Sequence, residues 1–460
     1  MKKLFSLLFL LPLFSIAQPI SNIAFKNHIL DSARCISFSP VIYSHFNVNE
    51  IGNNIIDSSP LLYGLNFKAN LSNKLNISSS IIKVKGNFNS SLSNYIDSLH
   101  VFPGMSKIED NKLTYLSYKL SYKINQYFTG VFGKGKHFIG DGYRSMLLSN
   151  NHSPYPYFSM LTQFWKVKYY NLFTTFSDIY SANITQKKHG AFHYLDYQPT
   201  KRLSIGVFEG IIWQAKDDSY NRGYDLHYLN PIIFYRPVEF SKHSPDNALM
   251  GIDLSYTLNN STAYCQFLLD DINLDRHDNT TDGFFQNKYA VQVGIKTYFE
   301  IDNHNIKILA EYNKAQPYTY AHKHPLQNYT HMNQSLAHPL GANFKEKVLI
   351  INHQYENWGT KLKYTNAVYG ADTSNTHYGQ NIFISDFLAQ GDGGEYSYGN
   401  YNGQGVSTNL QTLYAELNYD LKGAKIFLAL YLRKKSTEKI ESNYLVLGIK
   451  KDLINPFLDF

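Results

Sequence analysis

A glycine-rich run holds the densest group of side chains that could do chemistry. Residues Gly133–Ser145 read GKGKHFIGDGYRS and include His137, Asp141, Tyr143 and Arg144. The glycines suggest a phosphate-binding loop, but the Gly-x-x-x-x-Gly-Lys-Ser/Thr pattern of such loops is missing from the sequence. We expect instead a strand that ends in a tight turn, since glycine permits close backbone approach. The polar side chains would then contact a ligand or brace a wall through an Asp–Arg pair, and the residues alone leave both open.

Two other segments combine polar and aromatic groups. Residues 229–240 contain two prolines, an arginine and a glutamate, and they predict a constrained, plug-like loop. The run from Pro317 to Asn343 places tyrosines beside amides and hydroxyls, a composition that suits sugar binding and also ordinary outer loops. We therefore select eight candidate glycan contacts: His137, Asp141, Tyr143, Arg144, Arg236, Glu239, Tyr318 and Tyr320.

Catalysis has no support in the sequence. A membrane-embedded lipase needs a serine activated by histidine, and a spacing of two residues would direct both side chains to one face of a strand. No His-x-Ser occurs, and the pairs His152-Ser153 and His243-Ser244 are adjacent, so a strand would direct their side chains to opposite faces. The histidines from residue 322 to 331 lack the spacing of zinc ligands. We expect no enzyme activity, no metal site and no cofactor.

The first residues predict export. Lys2 and Lys3 precede an apolar run that ends in small residues, the pattern of a signal peptide for the Sec pathway. No later stretch has the about 18 to 20 consecutive apolar residues of a membrane-spanning helix. The expected division is a signal peptide at 1–17, a periplasmic N-terminal segment at 18–60 and an outer-membrane barrel at 61–460.

Composition favours a membrane barrel over a soluble globule. Aromatic residues make up 15% of the chain, with 38 tyrosines, yet the mean hydropathy is −0.32. A soluble protein would bury these rings in a core, whereas a barrel exposes them to lipid and keeps its lumen polar. The net charge of +7 is too small to indicate nucleic acid binding. Cys35 and Cys265 could form a disulfide in an oxidising compartment or stay unpaired.

Alternating segments predict the strands. In Leu116–Ile124, Leu, Tyr and Ile alternate with Ser and Lys, and the pattern recurs at Ile252–Leu258, Ile306–Asn313 and Leu413–Asp420. Sixteen strands can be identified from Leu61 onward, with room for one or two more near the N-terminus. Short turns alternate with long polar stretches such as 135–163. The prediction is an all-β, transmembrane, antiparallel outer-membrane β-barrel of about 16–18 strands with inner plug segments, and a soluble β-sandwich or propeller is the alternative.

A family resemblance adds to this reading. The run from Gly133 to Trp165, with Phe138–Ser145 followed by Leu148–Pro156, resembles the core motif of the Wzi-type capsule assembly family. Asn230–Phe240 and Ser335–Asn343 resemble that group too, and the similarity extends over most of the chain from about Leu61. Within the family, the closer resemblance is to the gliding motility protein RemB of Bacteroidetes.

The resemblance implies both a fold and a role. The fold is an outer-membrane barrel of about eighteen strands that is closed by a plug. The role is to bind and anchor surface or capsular polysaccharide at the cell surface, among outer-membrane lipid and, as partners, components of gliding or secretion machinery. The RemB branch implies support of gliding motility. A porin-like transport barrel is the alternative, and it would need an open lumen where the proline-rich segments suggest filling.

Overall fold

The alternating segments become the strands of a closed sheet in the computed structural model, which describes residues 35–50, 59–181, 184–216, 222–230, 246–271, 283–373, 376–388, 398–438 and 442–451. The strands are β1 (Cys35–Glu50), β2 (Leu61–Asn70), β3 (Leu75–Lys85), β4 (Lys112–Lys123), β5 (Phe128–Gly135), β6 (Tyr155–Phe164), β7 (Val167–Ser181), β8 (Ile184–Tyr197), β9 (Leu203–Gln214), β10 (Asn247–Leu258), β11 (Ser261–Asp271), β12 (Lys288–Ile301), β13 (His304–Ala315), β14 (Thr330–His331), β15 (Gln334–Ser335), β16 (Phe344–Tyr355), β17 (Trp358–Ala371), β18 (Val406–Asp420), β19 (Lys425–Lys435) and β20 (Ser442–Lys451).

Eighteen of these strands close into one antiparallel barrel. Each pairs with the next along the chain, β13 pairs with β16, and β20 returns to β1 with Tyr43 opposite Lys450. β14 and β15 pair only with each other, inside a long loop. Tight turns join the strands at one end and long loops at the other, which in outer-membrane barrels are the periplasmic and extracellular ends. The predicted fold class is confirmed.

The apolar face of each strand lies on the outside of the barrel. On β10 the side chains of Ile252, Leu254, Tyr256 and Leu258 are between 37% and 49% exposed, whereas the alternating Asp253 is buried in the lumen. Period-2 spacing produces this split because successive side chains point to opposite faces of a strand. The exposed apolar face is the surface that meets lipid.

The barrel begins earlier than the sequence suggested. Residues 18–60 are expected above to form a periplasmic segment, but Cys35–Glu50 is the first barrel strand and pairs with both β2 and β20. Tyr155–Phe164 is also a strand, although it falls in a stretch predicted to be a loop. Three of its inward side chains, Tyr155, Tyr157 and Leu161, belong to the apolar core that also includes plug-loop residues, so polar alternation along this strand is weak. Together with the sixteen strands that were predicted, these two make the eighteen strands of the barrel.

Long loops fill the extracellular half of the lumen. The main hydrophobic core joins wall residues such as Tyr170 and Phe208 to loop residues Ile139, Met146 and Leu147. A helix, α1 (Ser90–Leu99), covers the wall between β1 and β4 through the buried side chains of Leu92 and Ile96. Among the described residues, no helix has the length and apolar character that crossing a membrane would need. We call residues 136–154 the plug loop.

Two of the expectations concern residues outside the described ranges, and a third concerns the cysteines. The signal peptide, with its cleavage site near residue 17, lies outside the described residues, as does the proline-rich segment at 231–245 that contains Arg236 and Glu239. Both cysteines are free, with Cys35 on β1 and Cys265 on β11. The disulfide that the sequence left open is therefore not formed in this structure.

Candidate functional site

A buried ion pair holds the plug loop to the barrel wall. The guanidinium of Arg144 donates to Glu346 through Nη2 to Oε1 at 3.0 Å and through Nε to Oε2 at 3.3 Å. The two side chains are 1% and 2% exposed. His338 Nε2 lies 2.6 Å from Glu346 Oε2, and Asn313 Nδ2 donates to the same oxygen at 2.9 Å. Alternation on β16 turns Glu346 into the lumen, where the plug loop meets it.

A second carboxylate binds the backbone of the plug loop. Glu311 on β13 accepts hydrogen bonds from the backbone N–H of Tyr143 at 2.8 Å and of Arg144 at 3.1 Å, and from the hydroxyl of Tyr264 at 2.7 Å. A Cβ on Gly142 would lie 2.2 Å from Glu311 Oε2, so glycine is needed for this approach. The glycines of the motif therefore serve a close contact between loop and wall.

The expected Asp–Arg pair is replaced by two pairs with the wall. Lys296 Nζ lies 2.7 Å from Asp141 Oδ1, and Arg144 pairs with Glu346 as described. The motif thus braces the lumen, but its ionic partners come from β12 and β16. Tyr143 lies between two cations, with the guanidinium carbon of Arg144 4.8 Å and Lys363 Nζ 5.6 Å from its ring centroid.

The other predicted contacts that the structure describes are packed inside the protein. His137 Nδ1 lies 3.0 Å from the hydroxyl of Tyr155, and its ring packs edge-on against Tyr157. The hydroxyl of Tyr318 donates to the His377 carbonyl, and that of Tyr320 donates to the Met146 carbonyl, each at 2.8 Å. His137, Arg144 and both tyrosines are at most 1% exposed. Their contact with glycan stays a prediction.

Two buried histidines lie close together, His152 in the plug loop and His331 on β14. Burial lowers the pKa of His331 on β14 and of His152 to about 3 in each case. His331 Nδ1 accepts a hydrogen bond from the backbone N–H of Ser177 at 3.0 Å, so its ring is neutral with the proton on Nε2. No group of three His, Cys, Asp or Glu side chains suited to a metal ion occurs in the described ranges.

An open cavity of about 450 Å³ lies at the extracellular end of the barrel, and we call it the outer cavity. Its wall combines two aromatic rings with amide, hydroxyl and charged groups. The residues that carry these groups are Ser98, Ser335, Tyr369, Asp372, Gln380, Asn381, Phe383 and Lys435. A concave surface with a few polar groups beside apolar ones is the usual form of a small-molecule site. Ser335 lies in the run from Pro317 to Asn343 that the sequence singles out, whereas the other side chains belong to separate segments and share no motif.

Hydrogen bonds within and between loops fix the shape of the outer cavity. Gln380 Nε2 donates to the Leu340 carbonyl at 2.8 Å, and Asp372 Oδ2 accepts from the backbone N–H of Asn381 at 3.3 Å. Gly341 has a φ of +73°, and a Cβ there would lie 2.7 Å from the Gln380 carbonyl oxygen. Residues 335–341 and 380–383 thus form much of the cavity wall, and Ser335–Asn343 is one of the segments that resemble the Wzi family.

A family model for the capsule assembly protein Wzi matches residues 112–423, which is more than half of the chain. The chain belongs to the Wzi capsule assembly family. The match includes the plug loop, β16 with Glu346 and the segments at 335–343 and 372–383. The family recognised from the motif at 133–165 is thereby confirmed. No curated protein matches the sequence significantly.

A solved structure supports the fold of the family. Wzi of Escherichia coli superposes with a TM-score of 0.58 at 12% sequence identity, over 91% of this chain and 84% of that one. That protein is an outer-membrane protein involved in group 1 capsule assembly and a carbohydrate-binding β-barrel. At this identity the likeness shows that the two proteins share a fold.

Two other barrels superpose less well. OpdK of Pseudomonas aeruginosa, solved with vanillate, has a TM-score of 0.49 at 9% identity, over 90% of this chain and 98% of that one. A BenF-like porin from Pseudomonas fluorescens Pf-5 has a TM-score of 0.47 at 10% identity, over 92% and 98%. Scores below 0.5 give no basis for assigning transport to this family member.

Proposed function

We propose that this barrel binds exported polysaccharide, capsular or otherwise, in the outer cavity and thereby anchors it at the cell surface. The observation that carries the proposal is an aromatic, amide- and hydroxyl-lined cavity at the extracellular end of a lumen whose extracellular half is filled by loops. Rings that pack on sugar faces and amides that bond hydroxyls are suited to glycans. Membership of a capsule assembly family and the carbohydrate binding of E. coli Wzi support the same reading.

The wider role follows from this binding. A glycan held at the outer cavity would be tied to the outer membrane through the barrel, and surface glycan that is tied to the cell can transmit force during gliding motility. We include in the proposal export through the Sec pathway, with residues 1–17 removed, and contact with gliding or secretion components. Catalysis is not part of it. A porin-like role is disfavoured because apolar loop residues pack the extracellular half of the lumen.

The test is glycan binding by the purified barrel in detergent, with polysaccharide extracted from the source cell surface as the ligand. Phe383→Ala and Asn381→Ala should each weaken binding about fivefold to tenfold, because they remove a ring and an amide from the cavity wall. Phe387→Ala is the matched control, since this exposed ring belongs to the same loop but lies outside the cavity. Binding that is saturable but equal in all four proteins would place the glycan elsewhere, and absence of binding would refute the proposal.

A further inference from the structure

A second cavity lies in the opposite half of the lumen. It has a volume of about 610 Å³ and is lined by the periplasmic ends of strands from β12 to β20. We call it the inner chamber. The plug loop contacts the wall just above this lining, where Lys296 bonds to Asp141 and Lys363 bonds to Tyr143. Each of these lysines lies two residues from a lining residue of its own strand, on the extracellular side. The plug loop thus separates the inner chamber from the outer cavity.

The inner chamber is positively charged. Four lysines line it, namely Lys307, Lys361, Lys425 and Lys450, against the single carboxylate of Glu416. Lys450 forms an ion pair with Glu416, which also accepts from Asn418 Nδ2 at 2.8 Å. Lys307 and Lys425 form no ion pair with any residue that the structure describes. A concave wall with one sign of charge focuses its field and concentrates ions of the opposite sign.

Neutral polar groups lie between these lysines. Asn305, Asn352, Gln354 and Asn418 contribute side-chain amides, which both donate and accept hydrogen bonds. The ring of Tyr298 lines the same wall, with Lys307 Nζ 5.8 Å from its centroid. Amides suit sugar hydroxyls, the ring suits a sugar face, and separate lysines suit isolated carboxylates. Compact phosphate groups are more often held by arginine forks, and none of the lining residues is an arginine.

We propose that the inner chamber is a second binding site, open to the periplasmic end, for a carboxylated oligosaccharide of a few sugar units. Its volume lies in the range of about 300 to 1,000 Å³ that is usual for ligand sites. The site is distinct from the outer cavity, so it can exist even if the outer cavity binds nothing. It would give the barrel a contact with acidic polymer on the side from which exported material arrives.

The experiment compares two probes of equal length, tri-galacturonate and the neutral maltotriose, by calorimetry on the full chain folded in detergent. We expect saturable binding of tri-galacturonate that weakens as salt is raised, and at least tenfold weaker binding of maltotriose. Lys307→Gln and Lys425→Gln should each weaken tri-galacturonate binding about fivefold, and the double variant more than either. Lys112→Gln removes an exposed lysine at the far end of β4 and should change nothing.

The outcomes separate this site from the outer cavity. Phe383→Ala should leave tri-galacturonate binding intact, so a failure of the outer cavity as a glycan site would not imitate a failure here. Equal affinity for both probes, or binding that neither lysine substitution alters, would overturn the proposal. Full competition by inorganic phosphate at similar concentration would also overturn it, since the chamber would then be a general anion site. Folding of each variant is checked by its heat-modifiable mobility.

Discussion

Glu346→Gln should loosen the plug loop. The substitution keeps the size of the side chain but removes the charge that Arg144 faces at 3.0 Å in a site where both residues are at most 2% exposed. Removal of one partner from a buried ion pair costs about 3–5 kcal/mol, because the other charge is left uncompensated. Each 1.4 kcal/mol is about a factor of ten in an equilibrium. If the cost falls on the docked form of the loop, its displaced form should gain at least about a hundredfold in population.

Single-channel recording in planar bilayers measures this change. Wild-type barrels should stay closed for nearly all of the record, and Glu346→Gln barrels should show frequent openings. Arg144→Met/Glu346→Leu should return towards closure, since an apolar pair of similar volume can replace a buried ion pair at little cost. Glu356→Gln, in the exposed turn between β16 and β17, is the control. Glu346→Gln barrels as silent as the wild type would refute the idea that this pair holds the plug.

Three further changes test the plug loop and the outer cavity. Gly142→Ala should also increase channel opening, because its Cβ would meet Glu311 Oε2 at 2.2 Å, and overpacking of this kind costs about 1–3 kcal/mol. Gly341→Ala should weaken polysaccharide binding without opening the channel, because its Cβ would press on the Gln380 carbonyl in the cavity wall. Acid should open the channel. Burial lowers the pKa of His331 and of His152 to about 3, so the closed structure favours their neutral rings. The stability that this preference contributes is fully present above about pH 6.5 and is lost as the pH falls towards 3. Openings counted from pH 7 to 4 check this, and the rise should be smaller in His331→Gln.

The sequence predicted most of the strands that have one wet face, although it left β1 in the N-terminal segment. Segments such as Leu116–Ile124 alternate because lipid lies on one side and lumen water on the other, and that contrast is local. The contrast disappears on β6, where Tyr155 and Tyr157 face the plug loop and Phe158 faces outward, so both faces are apolar. Apolar packing on both faces is therefore what hid β6 from the alternation pattern.

The candidate site was predictable only in part. The motif from Gly133 to Ser145 correctly marked a constrained polar segment, but its partners Glu311 and Glu346 lie more than 150 residues further along the chain. Alternation could place Glu311 on the lumen side of its strand, yet only the closure of the barrel decides which lumen residues meet the motif. The outer cavity combines side chains from four separate segments, and no spacing rule connects them.

The Arg144–Glu346 ion pair determines how the plug loop is oriented in the lumen. A buried ion pair adds little net stability compared with an apolar pair, so the Arg144–Glu346 contact serves position more than strength. Apolar plug residues such as Met146 and Leu147 would pack in many orientations, whereas the guanidinium accepts only a geometry in which both carboxylate oxygens of Glu346 are reached. The same pair therefore fixes the orientation of a loop that separates the inner chamber from the outer cavity.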